Sequence, residues 1–333
     1  MAYKQGSYEV VQIWKEATRG TTPGVPVGHL MPLYDRGFDL FEETPQDVSE
    51  LDGTPSPGQP GRGVIKAEGP LTVPCDEVAI GLWLNLILPT YSHAGVGDPY
   101  SHTWKLGTSE PNPFGVELGN TAASKYDVIP GCAVRGLSFV AEKTPAKLTF
   151  TVDLVGCIGG PPALKAAASL DLAPVTYVTG RYNLFPTVVK VATVATTFIQ
   201  RMTLNIRREV TAEHILDGLR YAKACSFGGV LIDGEITALW DDADTIREYA
   251  MGAAGAAGAE KNLEFLFTSL TASHDLTITV PESTVFIPNA PGLGGRGLRK
   301  ITLGFKGYKQ DSADAPLMAV LRNATPDYEA IWT

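Results

Sequence analysis

Apolar and polar positions alternate along most of this chain at the period of a half-buried strand. Val64 to Val73 alternates loosely and predicts a strand or hairpin. Phe114, Val116 and Leu118 predict another, and Cys132–Ala141 and Lys147–Cys157 predict two more around a turn at Lys143-Thr144-Pro145. Later, Thr187–Val194, Phe198–Arg207, Val230–Leu239, Leu263–Leu270 and Leu276–Val280 read as strands, and Ile301, Leu303 and Phe305 mark the last strong one. Strand-like residues also run from His29 to Phe41.

Only one early segment breaks this period. From Val78 to about Leu88 the chain is apolar on nearly every side, which predicts a helix within a core or between subunits. Pro74-Cys75-Asp76-Glu77 opens it, and the acids suit the unpaired N–H groups and positive dipole end of a helix start. Pro89 ends it.

The same phrase occurs twice. Glu68-Gly69-Pro70-Leu71-Thr72 precedes Asp76-Glu77, and Asp233-Gly234-Glu235-Ile236-Thr237 precedes Asp241-Asp242, at an offset of 165 residues. A second helix is therefore expected from Asp241 to about Ala254. An offset this long is no solenoid unit; it predicts two tandem, similar domains. The expected organisation is an N-terminal arm (1–28), a first β domain (29–160), a linker (161–184), a second β domain (185–310) and a C-terminal tail (311–333). The tail is partly apolar and is expected to pack onto something. Segments 43–63 and 89–113, rich in Gly, Pro and Ser, are expected as long loops.

Composition adds bounds. At 333 residues the chain can bury two cores, and its 44% hydrophobic fraction suits a folded protein. Charge is low (19%), while Gly (35) and Pro (24) are high, suggesting many turns and surfaces covered on assembly. The net charge of −9 is a poor footprint for gripping phosphates; it fits a surface that DNA passes without sticking, and equally ordinary solubility. Cys75, Cys132, Cys157 and Cys225 form no Cys-x-x-Cys pair, so free, mostly buried thiols are expected. The N-terminus lacks an apolar signal region, and no apolar run reaches the ~18–20 residues of a membrane span.

Candidate chemistry is thin. Gly292-Leu293-Gly294-Gly295-Arg296-Gly297 matches G-x-G-x-x-G, but a strand rather than a helix follows, so a hairpin loop is expected instead of a nucleotide site. Asp241, Asp242 and Asp244 read as first-turn acids rather than metal ligands. His93, Asp98 and His102 lie in the 89–113 segment without a visible fourth ligand, and read as exposed loop residues. No G-x-S-x-G elbow is present, and no histidine sits in a motif that gives it a catalytic role. No catalytic, metal or cofactor-binding residue is assigned.

The chain resembles the major tail tube proteins of long-tailed bacteriophages. The resemblance is carried by Glu16-Ala17-Thr18-Arg19-Gly20-Thr21-Thr22-Pro23, by Gly63–Gly69 leading to the helix at Asp76–Leu88, and by His102-Thr103-Trp104. Tyr126–Val134, the hairpin to Val155-Gly156, Val230–Thr237, Val280-Pro281 and Leu321–Tyr328 carry it further. It implies a mainly β fold, a β-sandwich or half-barrel with a flanking helix, whose sheets join between subunits into a tube. It implies a structural virion protein that forms stacked rings and conducts double-stranded DNA, located in the tail and assembled in the host cytoplasm. The partner would be the chain itself. Trimeric pseudo-sixfold rings are preferred, with hexameric rings as the alternative, together with a tape-measure protein, a tail terminator and a distal tail protein. Glu68 and Asp233 are the expected channel-facing acids. Thr21, Thr22, Pro23, Pro55, Pro57 and Pro60 are the expected inter-ring contacts. The competing readings are a distal-tail, baseplate or adhesin-type binding module, and a hydrolase on a β scaffold.

Overall fold

The computed structural model describes residues 9–23, 27–43, 63–107, 109–120, 125–143, 146–156, 163–165, 171–172, 182, 188–191, 194–196, 199–216, 219–239, 261–287, 300–308 and 315–332. The first half contains β1 (Glu9–Lys15), β2 (Val27–Met31), β3 (Asp35–Arg36), β4 (Asp39–Glu42), β5 (Ile65–Pro74), α1 (Ala79–Ile87), β6 (Thr90–Ala94), β7 (Tyr100–Lys105), β8 (Phe114–Asn120), β9 (Lys125–Lys143), β10 (Ala146–Gly156), β11 (Ala163–Lys165) and β12 (Asp171–Leu172). The second contains β13 (Val188–Val191), β14 (Val194–Thr196), β15 (Ile199–Glu213), β16 (Ala224–Leu239), β17 (Lys261–Thr268), β18 (Asp275–Phe286), β19 (Lys300–Gly307) and β20 (Met318–Asn323). The chain is mainly β, as its alternating pattern predicts, and consistent with the sandwich-like fold that the resemblance implies; among the described residues its sheet does not close into a barrel.

One antiparallel sheet runs β4–β5–β10–β9–β15–β16–β19–β18. Its register separates the chemistry of its faces, because side chains opposite one another across strands share a face. One cross-strand row is Val73, Phe150, Phe139, Leu204, Gly234 and Phe305; the neighbouring row, on the other face, is Thr72, Thr151, Ser138, Asn205, Asp233 and Lys306. The apolar row faces a core that contains side chains from Val11 to Tyr328.

The pairing plan occurs twice. β1 pairs with β2 and β8, and β13 with β14 and β17, all antiparallel. β8 and β11 flank the N-terminal part of β9, as β17 and β20 flank that of β18. The four-stranded orders β4–β5–β10–β9 and β15–β16–β19–β18 correspond strand for strand. The repeated glycines explain themselves here. A Cβ on Gly69 would lie 2.3 Å from the Gly37 carbonyl oxygen, and one on Gly234 would lie 2.1 Å from that of Thr203. In each case the adjoining segment passes too close for any side chain.

Helix α1 is buried on every side. It begins later than the acids suggest, and Asp76 Oδ1 accepts from the N–H groups of Val78 (2.9 Å) and Ala79 (3.2 Å). Its Trp83 meets Phe114 edge-on at 6.3 Å, and its Gly81 lies against Tyr328. The expected counterpart helix from Asp241, and the glycine motif 292–297, lie outside the described residues.

Two expectations about loops change, and a third, that the tail packs onto something, takes a definite form. Within the segment read as an arm, β1 is a strand held between β2 and β8, with Val11, Ile13 and Trp14 fully buried. The segment 89–113, expected as loop, contains the β6–β7 hairpin. The C-terminal tail supplies β20, which pairs with β18 on one side and β7 on the other and so ties the two halves together. Cys75 and Cys132 are free and buried, as expected, whereas Cys225 is disulfide-bonded, which corrects the expectation of free thiols throughout. No helix among the described residues is long and apolar enough to cross a membrane.

Candidate functional site

The polar face of the eight-stranded sheet carries a connected network of charged and polar side chains. Strand alternation puts it there: each side chain that enters the core is followed by one that leaves it. Ser138 Oγ donates to Asn205 Oδ1 (2.8 Å), and Asn205 Nδ2 donates to Asp233 Oδ1 (2.9 Å), so three strands are laced by one hydrogen-bonded row. Asp233 also accepts from Arg207. Nearby, Arg135 grips Asp153 through Nε (2.7 Å) and Nη2 (3.1 Å), and its Nη1 reaches Glu68 Oε2 at 3.2 Å. The hydrogen bond to Asp153 outweighs burial and raises the Arg135 pKa above its ordinary value. Two open depressions of about 520 and 550 Å³ lie on this face, lined by Arg207 and Leu231 among others.

The two predicted acids occupy matching positions on matching strands, β5 and β16, and each is paired with an arginine. The face is not uniformly acidic. Glu142 stands opposite Arg201 and Asp233 opposite Lys306 in the ladders, while Asp153 and Glu68 share Arg135. Charge of both signs is interspersed on this face with Thr, Ser and Asn.

The other predicted contacts are separated. Thr21 and Thr22 are exposed and Pro23 is half-buried. They follow a turn in which Thr21 N–H donates to the Thr18 carbonyl (3.0 Å). Arg19 pins that turn to the carbonyls of Cys132 (2.9 Å) and Pro111 (3.1 Å). Glu16, buried beside it, accepts from the N–H groups of Gly20 (2.8 Å) and Gly131 (3.1 Å). Pro55, Pro57 and Pro60 lie outside the described residues.

The histidines read as exposed loop residues divide. His93 is partly exposed, but His102 is fully buried between Tyr91, Trp104 and Tyr328. Its Nε2–H donates to the Thr325 carbonyl (2.7 Å), and the Tyr91 hydroxyl sits between His102 Nδ1 (2.9 Å) and Asp327 Oδ1 (3.1 Å). Burial lowers the His102 pKa, keeping the ring neutral. Asp98 turns instead to His274, whose Nε2 lies 2.8 Å from Asp98 Oδ1 and whose Nδ1 lies 2.7 Å from Glu77 Oε2. The Ser269 hydroxyl donates to the other Glu77 oxygen. Neither cluster is set by local sequence spacing alone, because each needs a segment more than a hundred residues away: Thr325–Tyr328 for His102, and Glu77 and Asp98 for His274. Among the described residues no group of three or more His, Cys, Asp or Glu side chains is placed to hold a metal ion.

Comparison with known families finds one match, over residues 6–307, to the family described as "Phage tail tube protein". Comparison with curated proteins finds none.

Proposed function

The chain belongs to the phage tail tube protein family, and from that premise we propose that three copies close a ring of six sheet units, that such rings stack into a tube, and that double-stranded DNA passes along the polar face. The family assigns a structural role in the virion tail. The finer reading rests on one observation. The two four-stranded units are joined edge to edge inside the chain, where residues 136–142 of β9 pair antiparallel with residues 201–207 of β15.

That joint is heterologous: the last strand of one unit meets the first strand of the next. A heterologous contact repeated between copies gives a ring when the rotation closes and a filament when it does not. Six units per ring is the plan that the family resemblance implies, and three two-unit chains supply them. In the hexameric alternative the second unit decorates the outside; a second unit that continues the plane of the first favours the trimer.

The polar face supports the conduit reading by neutralisation rather than by like charge. Phosphate gripping needs cations free to release counterions. Arg135 and Arg207 are already occupied by Glu68, Asp153 and Asp233. Assembly takes place in the host cytoplasm with a tape-measure protein, a tail terminator and a distal tail protein as further partners, the inter-ring contacts including Thr21, Thr22 and Pro23. Electron microscopy of the purified chain tests the reading. Rings or tubes with a central hole and threefold symmetry are expected; a folded, monodisperse monomer at high concentration overturns it.

A further inference from the structure

The internal joint has a register, and the duplication carries that register to the two outer edges. At the joint Gly136 stands opposite Arg207, and Leu137 opposite Ile206. The correspondence is anchored by Gly69, opposite Leu154, and Gly234, opposite Phe305. One step along each hairpin, Asp153 faces Gly136 and Gly304 faces Phe286, so Phe286 takes the place of Gly136, and Ile287 that of Leu137. On the other side, Asp39 faces Glu68 as Asn205 faces Asp233, so Phe41 takes the place of Arg207, and Leu40 that of Ile206.

Resting on the ring reading above, we propose that the outer edge of β4 in one copy pairs antiparallel with the end of β18 in the next, with Phe41 opposite Phe286 and Leu40 opposite Ile287. Among the described residues, Asp39–Phe41 have a ladder only with β5, and Thr284–Phe286 only with β19. Edges of this kind invite another strand. Their side chains fit the partner. Phe41 is 42% exposed and Phe286 37% exposed, high values for large apolar residues. Gly304 makes room for the Phe286 ring, since a Cβ there would lie 2.6 Å from it. Opposed aromatics are a favourable cross-strand pair. Leu40 and Ile287 are each only partly buried against the core, whereas Leu137 and Ile206, their counterparts at the internal joint, are 1% and 0% exposed. A second copy completes both pairs.

The test uses the full chain carrying Phe41→Cys and Phe286→Cys, with Phe41→Cys and Thr284→Cys as a control shifted by two residues. Directly opposed strand residues lie within disulfide reach. Oxidation should give covalent species that end at the trimer, at least tenfold above the control. A ladder reaching six copies overturns the three-copy ring. Because cysteine could weaken assembly, a charge exchange accompanies it: Phe41→Asp should reduce ring formation more than tenfold, and Phe286→Lys in the same chain should restore it. Native tubes seen by microscopy, with neither cross-link nor restoration, overturn this joint while leaving the tube assignment standing. A native chain that stays folded and forms no rings overturns both.

Discussion

At the scale of single residues, His274 joins three segments of the chain. Burial works against a charge on its ring, but the hydrogen bonds to Glu77 and Asp98 outweigh burial and raise its pKa above the ordinary imidazole value. The sign follows from linkage: a group whose pKa is raised by folding stabilises the fold fully below its unfolded value, about 6.5, and loses that contribution as pH rises through the folded value. The melting temperature of the native chain should therefore exceed that of His274→Asn most at about pH 6. The gap should narrow toward pH 9; a gap independent of pH refutes a charged ring. Gly81 poses a contest of two effects. Alanine is favoured over glycine in a helix by roughly 0.5–1 kcal/mol. Yet its Cβ would lie 2.1 Å from Tyr328 Cζ, and the Tyr328 hydroxyl is held by Asn323 Nδ2 (2.7 Å) and the Glu77 and Val78 carbonyls. A ring pinned at its far end cannot swing away, and overpacking costs about 1–3 kcal/mol. Gly81→Ala should lower stability in a urea melt despite its better helix propensity.

Among the elements, β20 has the widest reach. Its Leu321 is fully buried, and the strand pairs with β18 and β7 at once. Leu321→Ala should cost about 2–5 kcal/mol. Amide exchange should quicken in both β7 and β18; quickening in one alone shows that the strand does not couple the halves. Strands that bury one face were legible in the sequence, because alternation records burial: β8, β10, β16 and β19 fall where the pattern puts them. The β6–β7 hairpin was not, since Ser92, His93 and Ala94 are exposed and leave no apolar period. β1 was obscured by the Gly and Pro residues that follow it, although Val11, Ile13 and Trp14 already had strand character. The repeated acid-Gly phrase located the candidate face through β5 and β16. Its arginines were not legible, because Arg135 and Arg207 meet their acids only through register.

For the whole molecule, the polar face depends on its acids to occupy its bases. Replacing Glu68, Asp153 and Asp233 by their amides leaves Arg135 and Arg207 without their carboxylates. Tubes of that variant should retain double-stranded DNA in a gel-shift assay, with retention falling as salt rises; tubes that ignore DNA as before argue that this face lies away from the channel. The β9–β15 joint has a kinetic consequence. In the proposed ring of six units, half of the joints lie within single chains, so they form without any collision between molecules. Nucleation of that ring should scale with about the third power of chain concentration instead of the sixth, so dilution would delay its start far less than it would for separate single units.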